Sequence, residues 1–362
     1  MIASVARSNL YRALDRVAPA ASRNETMNVL RSVLIEAAGE ELRLTATDLE
    51  LTIQTTAPAD VEDLGRVAVP SGTLRAAVAS MPDDMVRLRA DGQHLQLACG
   101  RAHVELFGVP AEDYPNAIPG PVDWLLEIDG GMLARMLRAV APAASKDPNR
   151  PALNGVFLEH RGGRIACVAT DGARMAVWQA TAADGEYWQA LIPTRAAKEI
   201  ADLADGHTVR LGLHDTTHFV LQTPGTLLVS RVVDASFPDW RGVFPKQQSV
   251  VAHVKVDALR GALRRVLTTA RDLTHTVLAE ISGRVLGVQS RTDDVGRSYD
   301  DVTLELDATA PVTFAVNGRW LLEGLLPIRE GSVTLRIADP LSPIVVEAQD
   351  YRYLLAPIRI HA

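Results

Sequence analysis

Three times along the chain, apolar and polar positions alternate in a pair of short runs. Residues 29–48 read VLRSVLIEAAGEELRLTATD, residues 152–171 read ALNGVFLEHRGGRIACVATD, and a weaker copy at 275–294 reads HTVLAEISGRVLGVQSRTDD. Each is an alternating run, a polar or glycine turn, a second alternating run and an aspartate at or near its end, which is the pattern of a β-hairpin. Asp48, Asp171 and Asp294 set a period of 123 residues. That is far too long for a solenoid repeat, so each copy is a whole domain.

The same order of elements surrounds each copy. Ahead of the hairpins stand SNLYRALDRVA (8–18), GGMLARMLRAVAPAA (130–144) and VDALRGALRRVLTTA (256–270). Their apolar residues, such as Leu10, Leu14 and Val17, recur at helical spacing. Behind the hairpins come VAVPSGTLRAAVASM (67–81), ALIPTRAAKEIADLA (190–204) and VTFAVNGRWLLEGLL (312–326), each a short strand running into a helix. Further alternating runs follow, among them TVRLGLHDTTHFVLQT. The pattern predicts an α+β chain of three tandem similar domains, each two βαβββ-like units, over residues 1–121, 122–247 and 248–362. The boundaries fall in PNAIPGP (115–121) and near FPKQQSVVA (244–252), where periodicity lapses.

Composition agrees: 47% hydrophobic and 22% charged residues exclude a disordered chain. Cys99 and Cys167 both lie in alternating runs, as small core residues of a reducing compartment do. The N-terminal MIASVARSNLYRALDRV lacks the apolar stretch of a secretory signal, and no run of 18 apolar residues occurs, so the expected location is the cytoplasm, away from membranes.

Charge changes the picture more. The net charge of −7 excludes a surface that is basic all over. Yet the six helical windows, with the one at 256–270 carried on to Arg271, together carry +7, leaving −14 for the rest. Arg12 and Arg16, Arg135 and Arg138, and Arg260 and Arg264 sit three or four apart, each pair on one helical face; Arg75 and Lys198 belong to two further windows. A basic face on an acidic body suits a polyanion. With no aromatic platform or base-reading motif beside it, the contact is with phosphates and independent of sequence.

Candidate chemistry is thin. HDTTH at 214–218 spaces two histidines as zinc ligands are spaced, but it lacks the helix and the adjacent glutamate, and reads as a hairpin turn. Asp48 and Asp171 end hairpins, where turn formation explains them better than acid–base work. Asp293, Asp294, Asp300 and Asp301 read as a solvated loop. No catalytic residue, metal site or cofactor is expected, and no Walker-type phosphate loop occurs.

Taken together, TATDLELTI (45–53), RAHVELFGVPAEDYPN (101–116), LNGVFLE (153–159), VATDGARMAV (168–177), RVVDASFPDWRGVFPK (231–246) and YLLAPIRI (353–360) make the chain resemble the bacterial DNA polymerase III beta subunit family over essentially its whole length. The resemblance implies DNA-clamp domains with helices inside and sheets outside, closed head to tail as a homodimeric ring around double-stranded DNA. It implies a non-catalytic processivity factor, loaded by an ATP-driven clamp loader. It also implies a pocket between the second and third domains for short linear peptides of DNA polymerases and repair proteins. Carried over by position, that pocket takes Leu153, Thr170, Gly172, Arg174 and Met175, with Pro238 and Val243. The tail adds Leu355, Ala356, Pro357, Ile358 and Arg359.

The sequence departs from the family beside this pocket. Ala173 stands where many relatives have histidine, Gly242 where arginine often lies, and Pro343 where some have serine. The resemblance also places Val104 and Leu106 of the first domain against Thr268 and Thr269 of another subunit's third domain, a more polar pair than usual. It adds Arg23, Lys146 and Arg150 as further DNA contacts. The alternatives are a specialised second clamp with altered peptide or inhibitor preference, and an enzyme built on the Asp-ended hairpins.

Overall fold

The computed structural model describes residues 1–22 and 27–359. Six short α-helices occur among them: α1 (Arg7–Val17), α2 (Ser71–Ser80), α3 (Gly130–Val140), α4 (Thr194–Ala204), α5 (Val256–Val266) and α6 (Gly318–Leu325). Helices of this length are marginal alone and depend on packing one apolar face. In α1 that face is Leu10, Ala13, Leu14 and Val17, all buried; in α5 it is Val256, Leu259, Ala262, Leu263 and Val266. Two windows end sooner than their periodicity predicts. Past Val140 the chain enters a 3-10 turn, Ala141–Ala143, where Pro142 cannot continue the α-helical ladder. The α5 helix stops at Val266, and its successors bond back in tighter turns, Thr268 N to Arg265 O and Thr269 N to Val266 O.

The chain divides into two compact units, Met1–Gly131 with Glu199–Val232, and Met132–Lys198 with Val233–Ala362. The division cuts through the second repeat. In the first unit an eight-stranded antiparallel sheet runs Asp123–Asp129, Thr208–His214, His218–Thr223, Thr226–Arg231, Leu51–Pro58, Glu41–Thr47, Ser32–Ala38, Gly65–Pro70. Its repeats join where Thr226–Arg231 pairs with Leu51–Pro58, Leu228 opposite Ile53. A five-stranded sheet ends on Ala102–Phe107.

The second unit repeats this plan. Its eight-stranded sheet runs Trp188–Pro193, Gly155–His160, Arg164–Thr170, Arg174–Thr181, Tyr351–Leu355, Ile344–Ala348, Ser332–Ile337, Val250–Lys255. A four-stranded sheet ends on Gly296–Thr303. Here burial departs from simple alternation: every residue of Gly155–His160 is buried. The segment after Arg231 explains this, because Val233, Phe237, Trp240 and Phe244 pack over Phe157, Val168, Val177 and Val345 and cover the second face of the sheet. On the other face α6 lies flush against Tyr353, since a β-carbon added at Gly324 would fall 2.4 Å from that ring.

Cys99 and Cys167 are buried free thiols. His214 closes one strand and His218 opens the next, with Asp215 in the left-handed region between them. Among the described residues no group of three or more His, Cys, Asp or Glu is placed to hold a metal ion, and no helix is long and apolar enough to cross a membrane.

Candidate peptide cleft and DNA-facing side chains

The turn Thr170–Arg174 is built by its own side chains. Asp171 Oδ1 accepts from Ala173 N and Arg174 N, both at 3.0 Å, while Thr170 Oγ1 accepts from Gly172 N at 3.0 Å and donates to Arg174 O. Gly172, at φ +93°, supplies the left-handed residue. The first repeat makes the same turn: Asp48 Oδ1 accepts from Glu50 N and Leu51 N, and Thr47 Oγ1 from Leu49 N. The recurring aspartates hold backbone, as turn residues do.

This turn forms one rim of a cavity of about 170 Å³ lined by Leu153, Thr170, Gly172, Arg174, Met175, Pro238, Trp240, Val243 and Leu354. Seven of these are the residues carried over from the family. Trp240 and Leu354 are additions. Leu354 is paired directly opposite Met175, and Leu355 opposite Arg174, so the alternation of the strand puts Leu354 toward the cavity and turns Leu355 away. Leu355 is fully buried and is not among the residues lining the cavity. The tail beyond it is held by Ala356 N on Ala173 O at 2.8 Å and Ile358 N on Ala315 O at 2.7 Å. Ala356, Pro357 and Ile358 are half-buried, Arg359 exposed, and none lines the cavity. Ala173 and Pro343 are half-buried and Gly242 is exposed, again outside the lining.

Arg174 is the charged member of the lining. Its guanidinium donates to Asp171 Oδ2 (2.9 Å), Glu323 Oε2 (2.5 Å) and Pro142 O (2.7 Å), and lies 5.1 Å from the centre of the Trp320 ring. Burial opposes its charge, but neighbouring Tyr353 and Glu323 outweigh that and hold the proton more firmly than on an ordinary arginine. Neither Glu323 nor Trp320 carried a sequence signal, because their helix is read only as amphipathic.

The predicted DNA contacts divide. Arg12, Arg135, Arg138, Lys146, Lys198 and Arg264 are exposed, and Arg16 is half-buried. Arg75 is exposed but pairs with Asp15 at 3.0 Å. Arg150 donates to Asp147 Oδ2 and Asp171 O, bracing the cleft turn from outside. Arg23 lies outside the described residues. Arg260 is placed differently from the others. Its side chain is 11% exposed and is turned against the end of α6, where it donates to the carbonyls of Leu325 (2.6 Å) and Ile328, with Asp257 at 3.0 Å. Those carbonyls stand at and just past the C-terminus of α6, the negative end of the helix dipole, so a largely buried cation is drawn there instead of to solvent.

At the predicted subunit contact, Val104 is half-buried and Leu106 is buried under its own sheet. Thr268 is exposed. Thr269 turns its hydroxyl inward to Ser290 and to Ser298, a residue of the terminal strand Gly296–Thr303.

Repeated α+β domains, a small cleft beside the Asp171 turn and exposed helix cations agree with a DNA-clamp protein. Family comparison gives the same answer in three consecutive matches: DNA polymerase III beta subunit, N-terminal domain over residues 1–118, central domain over 127–239 and C-terminal domain over 241–359. The beta sliding clamp of Caulobacter vibrioides is 27% identical, with 99% of each chain covered. The crystal structure of the Pseudomonas aeruginosa DNA polymerase III subunit beta superposes with a TM-score of 0.94 at 27% identity, covering 99% of this chain and all of that one. The Thermotoga maritima beta subunit gives 0.92 at 26% identity, with both chains fully covered. The chain belongs to the DNA polymerase III beta subunit family, and it is a sliding clamp, non-catalytic like its relatives.

Proposed function

We propose that two copies of this chain close head to tail around duplex DNA, and that the cleft beside Met175 receives short apolar peptides of polymerases, clamp loader and repair proteins in the cytoplasm. One observation carries the ring. Strands one period apart do the same job: Leu51–Pro58 and Arg174–Thr181 each receive the last strand of a following half-sheet, Thr226–Arg231 and Tyr351–Leu355. The matching strands left over are Gly296–Thr303 and Ala102–Phe107, which stand at sheet edges with no strand on their outer side among the described residues. An unpaired edge is a template for another strand. Joining these two edges between copies makes an equivalent junction, here nine-stranded, twice more, so the arrangement closes.

Exposed Arg12, Arg135, Arg138, Lys146, Lys198 and Arg264, with Arg16, Arg75 and Arg150, serve as phosphate contacts in this reading, and Val104, Leu106, Thr268 and Thr269 flank the seam. Domain boundaries after residues 121 and 247 belong to it as well. Light scattering coupled to gel filtration tests the ring: twice the chain mass is expected, and a monomer at micromolar concentration contradicts it. Fluorescence titration with an apolar-anchored peptide tests the cleft, where Met175→Ala is expected to weaken binding at least ten-fold.

A second reading, a specialised clamp with altered client or inhibitor preference, rests on the small residues around the cleft. A side chain at Gly242 would start 3.0 Å from Asp239 Oδ2. Ala173→His and Gly242→Arg variants test it: a changed ranking among client peptides supports specialisation, and an unchanged ranking removes it.

A further inference from the structure

We propose that a strip of arginines on the outer face of the second unit's eight-stranded sheet binds acidic residues flanking the apolar anchors of a client peptide, so that this clamp selects clients whose motif adjoins Asp or Glu. The proposal rests on the cleft reading above and extends it to what lies beside the anchors.

The strip and the cleft share strands and a face. In Arg164–Thr170 the cleft residue Thr170 and Arg164 are an even number of positions apart, as are Leu354 and Arg352 in Tyr351–Leu355, so each pair points the same way. At a strand rise of about 3.3 Å per residue, Arg352 stands about 7 Å and Arg164 about 20 Å along the sheet from the cleft. An extended peptide covers that span in about two to six residues. Arg336 lies beyond, on the third strand over from Arg174–Thr181, and Arg241 comes from the segment that supplies Pro238, Trp240 and Val243 to the cleft.

These side chains are held in place. Arg241 lies 4.1 Å from the Trp240 ring centre and pairs with the buried carboxylate of Glu159 at 2.5 Å. Arg352 lies 4.5 Å from the Phe244 ring centre and donates to Gln179 Oε1 at 2.9 Å. Arg336 pairs with Glu347 at 2.5 Å and reaches Gln248, while Arg164 is exposed. Four guanidinium groups thus face two carboxylates on the strip, with exposed Asp239 nearby, and a cationic excess remains on a chain of net charge −7. Burial lowers the proton affinity of Arg352; Glu347 opposes this, and the charges of Arg164 and Arg241 add to it. The site is short of anions, and a stacked, pre-placed guanidinium is suited to carboxylates.

The test uses the full chain and labelled peptides with leucine and phenylalanine anchors, carrying neutral flanks or a run of glutamates or lysines at either end. Anisotropy is read at about 50 mM salt and again at about 500 mM, where screening removes exposed ion pairs. One glutamate-extended peptide is expected to bind about five-fold more tightly than the neutral one, as two or three exposed pairs would give. The lysine version should bind more weakly, and the gain should vanish at high salt and in Arg164→Glu. That variant should keep its affinity for the neutral peptide, which controls for folding. Equal binding of neutral and glutamate-extended peptides overturns the proposal, as does a gain that survives Arg164→Glu. If the neutral peptide fails to bind at all, the cleft reading itself falls and takes this one with it.

Discussion

Arg260 and Arg264 occupy the same helical face in the sequence, four positions apart, and the fold gives them opposite duties. Arg260 is drawn onto the last carbonyls of α6, whereas Arg264 stays exposed. Hydrogen bonds to a buried charge contribute about 1.5–3 kcal/mol, so Arg260→Ala should lower stability by about 2–3 kcal/mol, seen as a reduced urea midpoint. Arg264→Ala should leave the midpoint unchanged and weaken retention on DNA. The distinction was not legible from spacing, because what claims Arg260 is the end of a helix more than sixty residues away. Leu354 and Leu355 teach a similar lesson. Strand alternation allows only one of them to share a face with Met175, and it is the pairing register that picks Leu354. Trp240 sits in a stretch without periodicity, and only the family resemblance, which places neighbouring Pro238 and Val243 in the cleft, pointed toward it. Gly172, by contrast, could be read directly. At φ +93° an alanine is strained, and Gly172→Ala should cost about 1–2 kcal/mol of stability by thermal unfolding. Leu49, at φ 75° in the equivalent turn of the first repeat, already bears that cost, and Leu49→Gly should relieve part of it.

Among the elements, the hairpins and helices were legible because period 2 and period 3.6 leave different marks on a sequence. The joining of half-sheets was not, since strand order depends on contacts far apart in the chain. In the proposed ring that joining decides how copies associate. Successive N–H groups of a strand point to opposite edges, so along Ala102–Phe107 alternate residues serve the inner ladder with His94–Cys99 and the open edge. Of Val104→Pro and Glu105→Pro, one removes an outward donor and the other an inward one. The outward variant should give a folded monomer in light scattering with an unchanged circular dichroism spectrum. If both variants remain dimeric, the terminal strands are not the seam.

For the whole molecule, the sequence foretold the threefold repeat and the contrast between basic helices and an acidic remainder. It did not foretell that the described chain packs as two units dividing the second repeat between them. Cores built this way make each junction as continuous as a domain interior, because the eight-stranded sheets run across it. A clamp made of such junctions should hold DNA by enclosure, with its arginines contributing only a screened and sequence-independent attraction. The direct measurement is retention on a nicked circular plasmid after loading by the cognate clamp loader, followed at high salt before and after the circle is cut once. The clamp should stay with the closed circle through the salt wash and run off when the DNA becomes linear. Loss from the circle at high salt, or equal retention on circular and linear DNA, would mean that surface binding and not enclosure holds it there.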